Sequence, residues 1–299
     1  RKKLNSYYIS YRELCINHVS YQYAQIGSIF FSFGKTNGHN NSLIHKHTMS
    51  TNIINSQSLK TNTATVTTTT NAEISTLKSK KPELAAKIIK QSDIICFDVD
   101  STVIMEEGID ELADFCGKGS EVARVTKEAM GGAMTFQDAL KIRLNIIRPT
   151  QIQIADFVKL RPSTLTRNVK RFITQLKADG KQVYLISGGF DCLIEPVANE
   201  LGIPMSNLFA NKLMFYSNGD YASFDTTQPT SKSGGKAEAI SLIRQQHSND
   251  ALITMIGDGA TDLEAVPPAD YFIGFGGNVV RAEVFKRAQY YVSDFEQLL

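Results

Sequence analysis

Residues 94–102 read Ile94-Ile95-Cys96-Phe97-Asp98-Val99-Asp100-Ser101-Thr102, an apolar run that stops abruptly at two carboxylates and two hydroxyls. A short apolar run bounded in this way is the pattern of a strand buried on both faces. The pattern recurs at Val183-Tyr184-Leu185-Ile186, at Leu252-Ile253-Thr254-Met255-Ile256 and at Tyr271-Phe272-Ile273. Helical periodicity separates these runs, over 169–178, 192–201, 236–246 and 279–288, and an amphipathic helix signal interrupted at Pro82 precedes them over 73–90. Apolar strands alternating with helices predict a doubly wound α/β core, a parallel sheet covered on both faces. The stretch 103–168 has no strand pattern but four helical ones, over 106–116, 121–130, 135–147 and 150–160. An insertion of that size is expected over the carboxyl edge of the sheet, as a helical cap at 105–167 on a core formed by 75–104 and 168–299. Asn218-Gly219 joins two β-runs within 212–224 and predicts a hairpin.

Composition narrows the class. The chain has 299 residues, 42% hydrophobic and 21% charged, enough for one large or two moderate domains with real cores. A formal net charge of +2 gives no reason to expect nucleic acid as a partner, and no run approaches the ~20 apolar residues of a membrane-spanning helix. Cys15, Cys96, Cys116 and Cys192 are scattered without a CxxC pair, which reads as reduced thiols. Beyond residue 50 the chain has a single histidine, His247, which argues against a histidine-rich zinc site in the folded part. Residues 1–72 differ in texture, with one acid, Glu13, against seven basic residues, and a threonine-rich run over 61–70. Such a segment buries too little apolar surface to offset its ordering entropy, and a disordered leader or targeting segment is expected there. Acid-poor, Ser-rich, basic composition fits an organellar transit peptide. Met49 is the first methionine, so translated leader or flanking sequence is at least as good a reading of 1–48. A cytoplasmic location is expected, or a plastid or mitochondrial one if the segment directs import.

Ligands of open α/β sheets bind beyond the carboxyl ends of the strands, so the residues that follow the apolar runs should meet. These are Asp98 to Thr102, Ser187-Gly188-Gly189 and Gly257 to Asp262, with Gly234-Gly235-Lys236 opening a helix between the last two. Several carboxylates crowded without histidine repel one another unless a cation neutralises them, and Mg²⁺ suits an all-oxygen site that also takes phosphate oxygens. Small loop residues, a helix N-terminus and Lys236 suit a phosphate. One carboxylate can then attack phosphorus while its neighbour two residues on handles the proton.

Asp98-Val99-Asp100-Ser101-Thr102 resembles the first motif of the haloacid dehalogenase superfamily, DxDx[TV], and Ser187, Lys236 and 257–262 match its other three motifs in order. Within that superfamily the stretches 106–117 (EEGIDELADFCG), 129–136 (AMGGAMTF), 184–190 (YLISGGF), 224–236 (FDTTQPTSKSGGK) and 255–265 (MIGDGATDLEA) resemble the phosphoserine phosphatase family. The resemblance covers roughly 75–299. It implies a haloacid dehalogenase-like Rossmannoid core and Mg²⁺-dependent hydrolysis of O-phospho-L-serine, the last step of serine biosynthesis. On it, Asp98 is the nucleophile and a metal ligand. Asp100 is the acid and then the base, and its carbonyl is a second ligand. Asp258 is the third ligand, and Asp262 supports that shell or Lys236. Ser187, Gly188, Gly189, Lys236 and Thr261 attend the phosphate. Arg143 pairs with the substrate carboxylate and Glu107 with its ammonium, with Met130 and Gly131 contributing backbone and Phe136 a wall. Family members are often dimers, so a homodimer is expected.

Plainer readings stand beside these. Arg143 shares a helical stripe with Phe136, Ala139, Leu140 and Ile147, and an arginine so placed ordinarily lays its stem on the core with its head in water. Glu107 belongs to a run of acids that complements a helix N-terminus. In both cases the spacing alone leaves the matter open and the resemblance decides. Two rival functions follow: a phosphatase or phosphotransferase for another small phosphomonoester, and a non-catalytic module that senses phosphorylated ligands.

Overall fold

The computed structural model describes residues 79–130 and 134–299. The leader expected at 1–72 and the start of the helix signal at 73–78 lie outside these residues. Helix α1 starts at the proline that breaks the periodicity, Pro82–Gln91, because Pro is favoured in the first turn, where its missing N–H has no partner to lose. Strand β1, Ile94–Phe97, follows and is buried throughout.

Four helices come next: α2 Gly108–Phe115, α3 Gly119–Met130, α4 Phe136–Ile147 and α5 Gln151–Leu160. Thr135 caps α4, its hydroxyl accepting from the Asp138 N–H at 3.1 Å. Thr150 and Gln153 form a reciprocal capping box on α5. Each cap contributes about 1 kcal/mol. Helix α2 begins two residues later than its sequence pattern suggests, since Glu107 keeps an extended backbone.

The chain then alternates: α6 Val169–Ala178, β2 Gln182–Phe190, α7 Asp191–Glu200, β3 Leu208–Asn211, the hairpin β4 Leu213–Phe215 and β5 Tyr221–Phe224, and α8 Gly235–Gln246. It closes with β6 Ile253–Gly257, the single turn α9 Ala260–Leu263, β7 Tyr271–Phe275, α10 Ala282–Arg287 and β8 Tyr290–Val292. The six-stranded sheet has the order β3-β2-β1-β6-β7-β8, with every pairing parallel. Chain order reverses beside β1, so the crevice between β1 and β6 is the topological switch point.

Apolar clusters cover both faces of the sheet. One packs Phe97, Phe172, Phe275 and Phe295 with α1, α6 and α7. The rings of Phe275 and Phe295 stack at 4.4 Å, a contact that contributes ~1 kcal/mol beyond its burial. The other sets Cys96, Met255 and Tyr291 against Ile240 and Ile243 of α8. A third, separate cluster joins α2, α4 and α5 to the hairpin and to Phe190 and Leu193. The chain leaves the sheet layer for this helical layer, and returns, through two adjacent segments. Ile104 and Leu165 form an antiparallel bridge, flanked by Met105 N–H to Thr164 O at 3.0 Å and Thr166 N–H to Val103 O at 2.9 Å.

Candidate active site

Register brings the acids together. Phe97 lies opposite Ile256 and Leu185, so Asp98, Asp258 and Ser187 all emerge at the same rim within two residues of paired positions. Beyond β1 the backbone turns sharply, with Ser101 at φ 55°. That turn points the Ser101 hydroxyl at Glu107 Oε1, 2.8 Å away, and the Thr102 hydroxyl at Asp258 Oδ1, 3.1 Å away.

Lys236 is the electrostatic centre. Its Nζ lies 2.7 Å from Asp98 Oδ1 and 2.5 Å from Asp262 Oδ1, with the lysine 9% exposed and Asp262 fully buried. Gly234 adopts φ 73°, and a Cβ on Gly235 would lie 2.0 Å from the Pro229 carbonyl oxygen. Only glycine permits the turn at 229–231 to press against the start of α8 and aim Lys236 inward. Burial works against the ammonium, but Asp262 and Asp98 outweigh it and hold its pKa up. Asp262 also accepts the Gly259 N–H at 2.9 Å.

Asp100 is prepared differently. Its Oδ1 accepts the Gly108 N–H at 2.8 Å and its Oδ2 accepts the Ser187 hydroxyl at 3.1 Å. Burial, then Glu107 and Asp98, push its carboxyl up to about 7 against those two hydrogen bonds. A carboxyl near neutrality can both give and take a proton at physiological pH. The Ser187 hydroxyl in turn accepts the Gly189 N–H at 2.8 Å, and the fully buried Asn211 donates to the Gly188 carbonyl at 2.8 Å. Phe136 lies over this loop, for a Cβ on Gly188 would meet its Cζ at 2.9 Å.

Among the described residues Lys236 and Arg281 are the cations bonded to Asp98, Asp258 and Asp262, which leaves one formal negative charge on that trio in a largely buried site, with Asp100 beside it. Burial, then the Asp98 charge, pushes Asp258 up to about 6 and raises Asp262 as well. One oxygen from each of Asp98, Asp258 and Asp262 falls within 4.8 Å of the others. An all-oxygen donor set with uncompensated charge fits a hard divalent cation such as Mg²⁺.

The remaining expected residues divide. Arg143 lies two turns after Phe136 on the same face of α4, with its Nε on the Ala139 carbonyl at 3.3 Å and its charge felt by Asp110, Glu107 and Asp100. Thr261 is exposed beside Asp262. Met130 ends α3, and Gly131 lies outside the described residues. A broader cleft of about 460 Å³ opens at the opposite rim around Asp93, Lys181, His247 and Asp250, remote from this network.

Arg281 is missing from the sequence reading. Its Nε donates to Asp258 Oδ2 at 2.6 Å and its Nη2 to Glu107 Oε1 at 2.9 Å, so it ties the sheet rim to the entrance of α2. Asn278 is missing too, and its amide holds the carbonyls of Ser101 and Ile104 and the Thr166 hydroxyl. Both follow Gly276-Gly277 after β7, a loop that the strand-end rule already places at this rim.

Residues 93–270 match the model of haloacid dehalogenase-like hydrolases. A phosphoserine phosphatase of Drosophila melanogaster is 78% identical over 220 residues, covering 74% of this chain and 82% of the relative. The human phosphoserine phosphatase is 51% identical over 213 residues, covering 71% and 94%. This chain belongs to the phosphoserine phosphatase family of haloacid dehalogenase-like hydrolases. A solved phospho-aspartyl intermediate analogue of phosphoserine phosphatase superposes with a TM-score of 0.60 at 27% identity, covering 70% of this chain and 97% of that one. As a phosphoserine phosphatase family member the protein is a phosphoric monoester hydrolase, and the site at the β1–β6 crevice is where its acids converge. Among the described residues no helix is long and apolar enough to cross a membrane.

Proposed function

We propose that the protein hydrolyses O-phospho-L-serine to L-serine and phosphate through an aspartyl-phosphate on Asp98, with Mg²⁺ as cofactor, completing serine biosynthesis. The observation that carries this reading is the pairing of two differently prepared carboxylates on one turn: Asp98 held by Lys236, and Asp100 poised near neutrality. Asp98 Oδ1 is engaged by Lys236 and by the Val99 N–H, so Oδ2 is the attacking oxygen. As it bonds to phosphorus, the bond to the serine oxygen breaks and the Asp100 proton passes to that oxygen. A water then yields a proton to the Asp100 carboxylate and attacks phosphorus, the Asp98–phosphorus bond breaks, and phosphate leaves.

Ser187, Gly188, Gly189 and Lys236 form the phosphate cradle, with Thr261 alongside and Asp262 keeping Lys236 in place. Asp98, Asp258 and the Asp100 carbonyl are the ligands for Mg²⁺, which when bound offsets the phosphoryl charge. Residues 105–167 form the cap: Arg143 takes the substrate carboxylate, Glu107 the ammonium, Phe136 closes the wall, and the backbone of Met130 and Gly131 completes the pocket. The phospho-aspartyl analogue described for the solved relative supports the covalent step.

Phosphate release from phosphoserine, phosphothreonine, phosphoethanolamine and sugar phosphates, with Mg²⁺ or with EDTA, tests the reading. Phosphoserine should lead phosphoethanolamine and the sugar phosphates by at least ~10-fold, the scale of one lost hydrogen bond to a charged group, and EDTA should stop turnover. Asp98→Asn should abolish turnover with the far-UV circular dichroism unchanged. Equal rates across the panel remove the amino-acid claim, and an active Asn variant removes the covalent one.

A further inference from the structure

We propose that Asp110 is the positioning residue for Arg143 and, through it, sets the enzyme's preference for substrates that carry a carboxylate. This deepens the proposed function and rests on the assignment of Arg143 to the substrate carboxylate.

Asp110 lies in the first turn of α2, its N–H on the Glu107 carbonyl at 3.0 Å. Its Oδ1 is buried and has no hydrogen-bond partner among the described residues. A buried carboxylate oxygen without a partner is costly, and such atoms persist where something nearby compensates them or where they serve function. The charges acting on Asp110 from its own segment, Glu107, Glu111 and Asp114, are all negative, and Arg143 is the cation acting on it from across the layer. The same relation holds from the other side. Asp110 is the foremost acid acting on Arg143, ahead of Glu107 and Asp100.

Geometry supports the pairing. Leu112 and Ala113 of α2 share one apolar cluster with Leu140 and Leu144 of α4, so the two helices face each other. Phe136 touches the Gly188 loop, and Arg143, seven residues on, projects from the same face toward the same rim. Glu107 Oε1 already accepts from Ser101 and from Arg281, which ties that acid to the sheet rim. Asp110 is the foremost acid acting on Arg143 and its buried Oδ1 has no hydrogen-bond partner, so it acts through its charge; among the described residues no hydrogen bond or ion pair joins the two. Burial pushes the Asp110 carboxyl up and draws the Arg143 guanidinium down, and each offsets that drift in the other. An arginine on an apolar stripe has many rotamers, and a fixed anion behind it selects those that leave its forked N–H groups turned to the substrate.

The test uses the full chain with saturating Mg²⁺ and compares kcat/KM on phosphoserine with kcat/KM on phosphoethanolamine, which lacks the carboxylate. Arg143→Met should collapse that ratio. Asp110→Asn should lower it about 10-fold through KM for phosphoserine, the coupling expected between charged neighbours. In the Arg143→Met background, Asp110→Asn should lower it no further. Asp110→Ser, checked for an unchanged unfolding transition, repeats the measurement should the Asn variant misfold. If Arg143→Met affects both substrates equally, the carboxylate assignment itself fails. If Arg143→Met discriminates but neither Asp110 variant does, or if Asp110→Asn acts equally in both backgrounds, the positioning role is overturned.

Discussion

Replacing Lys236 with methionine keeps most of the stem and removes the one ammonium between Asp98 and Asp262. Both carboxylates are nearly inaccessible, Asp262 fully so and Asp98 7% exposed. Breaking a buried pair while leaving its partner charged costs about 3–5 kcal/mol. The protein limits that cost by protonating a carboxyl instead. Starting from the ordinary value of 3.8, protonation at pH 7 costs ~4 kcal/mol at 1.36 kcal/mol per unit. The two figures agree, and the second predicts a pH dependence. In the variant, a carboxyl whose folded pKa is raised binds a proton on folding, so its stability is complete below the unfolded pKa and is lost as pH rises through the folded one. Because Asp262 is already raised with Lys236 in place, the difference from wild type should be at most about 4 kcal/mol at pH 7 and at most about 2 kcal/mol at pH 5.5. The melting temperature should fall by no more than about 8–16 °C at pH 7. Urea unfolding in EDTA, followed by circular dichroism at both pH values, measures this. A loss below ~1 kcal/mol, or one that is the same at both pH values, refutes the view of Lys236 as the neutralising centre.

Ser187→Ala removes a hydroxyl that stabilises ionised Asp100, so Asp100 should stay protonated to higher pH and the alkaline limb of kcat/KM should move upward; a downward shift in the pH–rate profile contradicts that role. Arg281→Met leaves the 2% exposed Asp258 without its cation and should cost ~3 kcal/mol in EDTA but markedly less in saturating Mg²⁺. Equal losses in the two buffers would show that the ion and Arg281 do not share that charge. Gly235→Ala puts a methyl against the Pro229 carbonyl and should cost about 1–3 kcal/mol, with a fall in turnover as Lys236 shifts. Unaltered denaturation and kinetics would mean that the turn relaxes freely.

The strands that carry chemistry were legible because each is apolar, central and followed by polar residues: β1, β2 and β6 appear where Ile94, Val183 and Leu252 begin their runs. Strands β3 and β8 escaped notice because Leu208–Asn211 and Tyr290–Val292 are short edge segments whose pairing depends on neighbours far away in sequence. Helix α10 is shorter than its periodicity over 279–288 because Val279 to Arg281 are drawn toward the rim, where Arg281 bonds Asp258 and Glu107. The roles of Arg281, Asn278 and Asn211 are tertiary facts. Their bonds span from 19 to 177 residues, and local pattern does not encode separation of that kind.

The paired crossing at Ile104 and Leu165 gives the molecule a flexure of a particular sort. Two chains bonded side by side form a ribbon, pliant across its face and stiff against shear within its plane. Asn278 clamps the inner end of that ribbon to the backbone of Ser101 and Ile104, so bending is confined to residues further out, around the exposed Met105. Any tilt of the helical layer on the sheet would then leave the turn that bears Asp98 and Asp100 in place.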